Sequence, residues 1–172
     1  MPDMGTVARA LLLLGAANAL PWLAGRILGA RLSWPLDFGV ALPDGARLLG
    51  QHKTIRGFLT GILGCALTAA VLGFSWQLGM EFGALSMLAD AVTSSLKRRL
   101  GVAPGRGSPL VDSVPEAVLP LVVLRAPLGL GAAEIAAALV AFMLLDLARS
   151  ILESRLGRGG VRQREVRCRV NS

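Results

Sequence analysis

The sequence is poor in the residues that a soluble enzyme displays to water. Charged residues make up 17% against 53% apolar ones, and there is no Tyr. An ordinary soluble domain carries about 25% charge. The two cysteines, Cys65 in an apolar run and Cys168 in a basic stretch, form neither a disulfide framework nor a ligand cluster for a metal. The single His, His52, lies alone in a polar stretch, which suits a solvated side chain better than a catalytic one. The GxxxxGK(S/T) spacing of a phosphate-binding P-loop is missing, and there is no internal repeat or second domain.

What is present is apolar sequence in long runs. From Phe58 to Met80 (FLTGILGCALTAAVLGFSWQLGM) no charge interrupts the chain, and a helix needs about 20 residues to cross a hydrocarbon core. Its scattered Gly, Ala and Thr suit close helix packing in lipid, so the run reads as a membrane span. Near the N-terminus, Arg9 followed by ALLLLGAANAL imitates a signal peptide. A Pro-Trp pair and a second uncharged stretch follow at once, so a first span from about Met4 to Gly25, bent or ended near Pro21, is the better reading. Five hydrophobic segments result, at about 4–25, 58–80, 82–96, 116–131 and 133–152. The expected fold is all-α, a polytopic membrane bundle of about five transmembrane helices. Residues 1–154 would form the membrane domain, and 155–172 a basic, disordered tail.

Five crossings place loop 26–57, loop 97–115 and the tail on one side. Of the 18 Lys and Arg, only Arg9 and Arg125 then fall on the other. Basic loops stay in the cytoplasm, so the N-terminus is expected outside and the C-terminus inside, in a multi-pass protein of the inner (cytoplasmic) membrane.

Two polar clusters fall on the expected cytoplasmic side. The first, Trp34 to Phe58, offers Asp37, Asp44, Lys53, Thr54 and Arg56, with Gly50 and Gly57 for close backbone approach. Lys53 and Arg56 suit phosphate oxygens, although flanking charge that merely orients a span has the same look. The second runs from Leu88 to Glu116. An acid inside a membrane segment is costly, which makes Asp90 a functional candidate by default. Asp90, Ser94 and Lys97 recur at i, i+4 and i+7 and share one helix face. Asp112 follows a Gly-Pro loop and could complete a pair of carboxylates, the usual protein share of a Mg²⁺ site. Simpler readings stay open: Lys97, Arg98 and Arg99 could anchor a helix end to lipid phosphates, Asp90 could pair with a basic residue, and GRGS at 105–108 could be a plain turn.

Four stretches resemble the CDP-archaeol synthases, a family distantly akin to the CDP-diacylglycerol synthases. They are Ala17-Asn18 with Pro21; Pro35-Leu36-Asp37-Phe38-Gly39; Gly50 with Lys53-Thr54 and Arg56-Gly57; and Asp90 through Ser95 to Lys97-Arg98-Arg99, continuing into Pro109-Leu110-Val111-Asp112. The resemblance implies CMP transfer from CTP to a lipid phosphate, archaetidic-acid-like or phosphatidic-acid-like, with Mg²⁺ as cofactor. The partners it implies are CTP, the lipid substrate and membrane lipids, with room for an oligomer and no nucleic acid. It assigns Asp90 and Asp112 to the metal and Asp90, Lys97 and Lys53 to catalysis. Asn18, Asp37, Thr54, Arg56, Ser94, Arg98 and Arg99 go to substrate. Two departures stand out. Gln51 occupies a position where the family often has an acid, and Pro115 another, with Glu116 one residue further on. They leave a second reading open, an inactive relative serving as a structural or regulatory membrane subunit.

Overall fold

The computed structural model describes residues 2–29, 31, 33–37, 53–99 and 109–170, without the side chains of 98, 109–113 and 153–170. Among them the chain is helical apart from one isolated antiparallel bridge between Pro35 and Thr54. The helices are α1 (Met4–Leu28), α2 (Ile55–Val71), α3 (Trp76–Arg99), α4 (Pro109–Val123), the single turn α5 (Arg125–Leu128) and α6 (Ala132–Val170).

Local chemistry sets the boundaries. At the start of α1 the Asp3 carboxylate accepts the amides of Gly5 (3.1 Å) and Thr6 (3.2 Å). The Thr6 hydroxyl and these amides hold the Asp3 carboxyl below its ordinary pKa. Helix α1 ends at Gly29, whose φ of 55° suits glycine and whose amide donates to the Gly25 carbonyl at 3.1 Å. The helix does not end near Pro21, one of the two outcomes expected there. A proline inside a helix removes one backbone bond, and the packed neighbours of α1 carry it through to Leu28.

The uncharged run from Phe58 to Met80 is not one span. Helix α2 stops at Val71, and the chain reverses through Leu72 to Ser75. Gly73 takes a φ of 85°, and the Ser75 hydroxyl accepts the Leu78 amide at 3.2 Å to start the next helix. The segment read as 82–96 is therefore the later part of a 24-residue α3. The segment read as 116–131 begins earlier, at Pro109, and divides into α4 and α5. Helix α6 keeps helical backbone to Val170, through the stretch expected to be a disordered tail. Extending a formed helix costs less than nucleating one.

The helices close a ring: α1 packs on α2, α2 on α3, α3 on α4, α4 on α6, and α6 back on α1. Small residues allow the close approach. A Cβ on Gly79 would stand 2.4 Å from the Cys65 carbonyl oxygen, and one on Gly83 only 2.8 Å from the Ile62 Cα. This GxxxG-spaced pair brings the α3 backbone onto α2 as small residues do in lipid. Leu13, Leu14, Phe82 and Leu121 fill the centre.

The bundle has two distinct ends. At one, the Asp3 amide donates to Glu134 (3.1 Å), and the Arg9 guanidinium lies 5.8 Å from the Phe74 ring. At the other, the Arg56 guanidinium donates to the Gly29 and Arg31 carbonyls (2.9 and 2.5 Å), and Lys53 pairs with Asp90. Exposed Trp76 marks the first end and exposed Trp22 and Trp34 the second, as aromatic belts do at membrane interfaces. Between the ends the outer surface is apolar, with Leu63, Leu67, Val71, Leu144 and Leu145 all exposed. Among the described residues two helices are long and apolar enough to cross a membrane, α1 and the Ala132–Leu152 part of α6. The core helix of a soluble protein passes the same test but is mostly buried. Most of the Ala132–Leu152 surface is exposed, unlike such a core helix, and an exposed apolar surface of this kind suits lipid contact.

Candidate active site

A short bridge positions the first polar cluster. The Leu36 amide donates to the Lys53 carbonyl (2.8 Å) and the Ile55 amide to the Trp34 carbonyl (3.0 Å). Residues 34–36 are thus pinned to 53–55, and Lys53 is held just before the N-terminus of α2. Thr54 caps that helix by accepting the Gly57 amide at 3.2 Å. The Ile55, Gly57 and Phe58 amides are all engaged within the protein, so an anion here would be met chiefly by the Lys53 ammonium.

A cavity of about 140 Å³ opens where α1, α2, α3 and α4 converge at this end. Its polar lining is Asn18, Lys53, Thr54, Asp90 and Glu116, and its walls are apolar: Pro21, Leu36, Phe58 and Met87 among them. Ligand pockets for whole small molecules usually measure about 300–1,000 Å³. This one fits a phosphate group and an ion, with the remainder of a substrate outside it. Lys53 and Asp90 form an ion pair, their side chains 26% and 27% exposed. Glu116 is buried on α4, hydrogen-bonded by Asn18, and has Asp90 and Lys53 as charged neighbours. The Asn18 amide also donates to the Leu14 carbonyl at 3.1 Å, which fixes its orientation.

The structure thus gathers Asn18, Lys53, Thr54 and Asp90 from the expected set and adds Glu116. It does not gather all of them. The Arg56 guanidinium turns to the end of α1 and holds the Gly29 and Arg31 carbonyls. Asp37 is buried beside the bridge but does not line the cavity. Ser94 and Lys97 are half-buried further along α3, Arg99 is exposed, and none of the three lines it. Of the shared face of Asp90, Ser94 and Lys97, Asp90 alone lines the cavity. The side chains of Arg98 and Asp112 lie outside the described residues, as do Phe38, Gly39, Asp44, Gly50, Gln51, His52 and the turn at 105–108. The second carboxylate of the described cavity is therefore Glu116, one helical turn after Asp112 on α4. The rule that flagged Asp90, an acid in an apolar segment, applies equally to Glu116 between Pro115 and Pro120.

Residues 11–80 match the family model described as CarS-like: CDP-archaeol synthase. The chain is similar to the CDP-archaeol synthase of Methanopyrus kandleri, with 44% identity over 86 residues, 46% of this chain and 50% of the relative. It is similar to that of Aeropyrum pernix, with 41% identity over 104 residues, 57% of this chain and 56% of the relative. The corresponding protein of Sulfolobus acidocaldarius is 33% identical over 110 residues, 60% of this chain and 68% of the relative. Among solved structures, the chain resembles one described as an intramembrane enzyme for archaeal membrane lipid biosynthesis. That likeness has a TM-score of 0.63 and 32% identity, over 81% of this chain and 92% of the other. Fold and site define a helical bundle with an acid-and-lysine cavity at one end. The chain belongs to the CDP-archaeol synthase family. It spans 50% and 56% of the length of the first two of these relatives.

Proposed function

We propose that this protein is an integral membrane cytidylyltransferase that transfers CMP from CTP to a lipid phosphate, giving a CDP-lipid and pyrophosphate. The observation that carries the reading is the convergence of Lys53, Asp90, Glu116 and Asn18 on one cavity at the end of an apolar bundle. Apart from the Lys53 ammonium and the Asn18 amide nitrogen, the polar side-chain atoms of the lining are oxygens. Among the described residues there is no cluster of three or more acids, His or Cys. Mg²⁺ characteristically takes one or two carboxylates and completes its shell with water and substrate phosphate, and Asp90 and Glu116 fit that pattern. When bound, it would supply positive charge along the triphosphate.

The remaining chemistry belongs to side chains. Lys53 binds phosphate oxygens and stabilises the charge that grows on departing pyrophosphate. Asn18 orients Glu116. The apolar walls exclude water, which would otherwise compete with the lipid as nucleophile. A lipid phosphate oxygen, already anionic, attacks the α-phosphorus of CTP as the bond to the β-phosphate oxygen breaks. No general base or covalent enzyme intermediate is required, and positioning supplies the catalysis. Purified protein given labelled CTP, Mg²⁺ and a panel of ether- and ester-linked lipid phosphates should form a CDP-lipid. Failure with every lipid would favour the inactive-relative reading.

The proposed topology is five crossings of the inner membrane by α1, α2, α3, α4 with α5, and α6, in a membrane domain of residues 1–154. The basic stretch 155–172 follows in the cytoplasm. The grouping of Asp3, Phe74 and Glu134 at one end and Arg31, Lys53 and Arg56 at the other supports it. A reporter after Ser172 should read cytoplasm and one near Asp3 the outside; both on the same side would defeat five crossings.

A further inference from the structure

We propose that the Lys53–Asp90 ion pair is a charge-exchange latch: it makes a divalent cation and a nucleoside triphosphate bind together, and keeps either from binding well alone. This rests on the functional reading above and adds a coupling between its two binding steps.

The two charges belong to different parts of the bundle. Lys53 sits on the segment pinned by the Pro35–Thr54 bridge, and Asp90 is on α3. The bridge ties the Lys53 segment to residues 34–36 and Asp90 sits inside a helix, so the pair is taken to open by side-chain movement. Both groups line the same cavity, and both are about three-quarters buried. A cation arriving alone at Asp90 must displace the Lys53 ammonium and leave it unpaired beside a dication. A triphosphate arriving alone at Lys53 must leave Asp90 unpaired, with Glu116 close by. Each event strands a partly buried charge, and stranding one partner of such a pair is costly. When both ligands arrive, Asp90 gains the cation and Lys53 gains a phosphate. The pair exchanges partners and nothing is left uncompensated. Coupling of this kind is reciprocal and typically amounts to about 5–150-fold in affinity.

Metal and nucleotide also associate in solution, so the test uses each ligand by itself. With full-length protein in detergent, Mn²⁺ alone is titrated by EPR, and labelled CTP alone in EDTA by equilibrium binding. Lys53→Gln should bind Mn²⁺ roughly 5-fold or more tighter than wild type. Asp90→Asn should bind metal-free CTP tighter by a similar factor. Glu116→Gln replaces the other acid of the same cavity without opening the pair, and should tighten CTP binding far less. Equal Mn²⁺ affinity in wild type and Lys53→Gln would overturn the latch. Equal tightening of CTP by Asp90→Asn and Glu116→Gln would overturn it too, leaving general cavity charge as the cause. If wild type binds Mn²⁺ and CTP together but neither variant tightens, the latch alone falls. If it fails to bind them even together, the functional reading falls with it.

Discussion

Asp90→Asn is expected to lower CMP transfer by about a hundredfold or more while the bundle still assembles. Asparagine keeps the shape of the side chain and removes the charge that a cation needs. The structure makes the alternative concrete, because Asp90 also pairs with Lys53. If the pair only held α3 to the α2 entrance, its loss would appear mainly as lower thermal stability. Removing the Asp90 charge leaves the three-quarters-buried Lys53 ammonium without its partner, so some loss of thermal stability is expected in either case and turnover is the deciding readout. Turnover and thermal unfolding on one preparation separate the two roles. Near-normal turnover in Asp90→Asn would remove this residue from the metal site.

Much of this arrangement was legible in the sequence, and the parts that were not share a cause. Composition and charge-free runs pointed to an all-helical bundle, because a helix in lipid must be apolar over its whole exposed surface. The same uniformity hid the α2–α3 turn. Leu72 to Ser75 carries no charge, so neither length nor hydropathy separates one long span from a tight hairpin; Gly73 and Ser75 were the available signals. The site divides similarly. Asp90 and Lys53 stood out as charges at the edge of apolar segments, and they meet. Arg56 had the same look, yet it closes the end of α1, since a guanidinium serves carbonyls as readily as phosphates. No sequence spacing could tell these uses apart. The pairing of residues 34–36 with 53–55 depends on a return of the chain that no local pattern encodes.

Glu116 provides the second large effect. It is buried, at 7% exposure, whereas the side chains of Lys53 and Asp90 are each about a quarter exposed. Burying a carboxylate without full compensation destabilises a fold, and neutral replacement of similar shape is often tolerated or favourable. Glu116→Gln retains a carbonyl oxygen to accept from Asn18, so that hydrogen bond persists. The variant should therefore unfold at the same temperature as wild type or higher. Its CMP transfer should fall about a hundredfold, because one of two carboxylates facing the phosphate space has lost its charge. A structural Glu116 predicts the reverse, lower thermal stability with turnover nearly intact. Glu116→Asp sharpens the contrast. It keeps the charge but withdraws it by one methylene into α4, so it should lie between wild type and Glu116→Gln in rate. Turnover equal in Glu116→Gln and wild type would return the second-carboxylate role to Asp112, one turn earlier on the same helix.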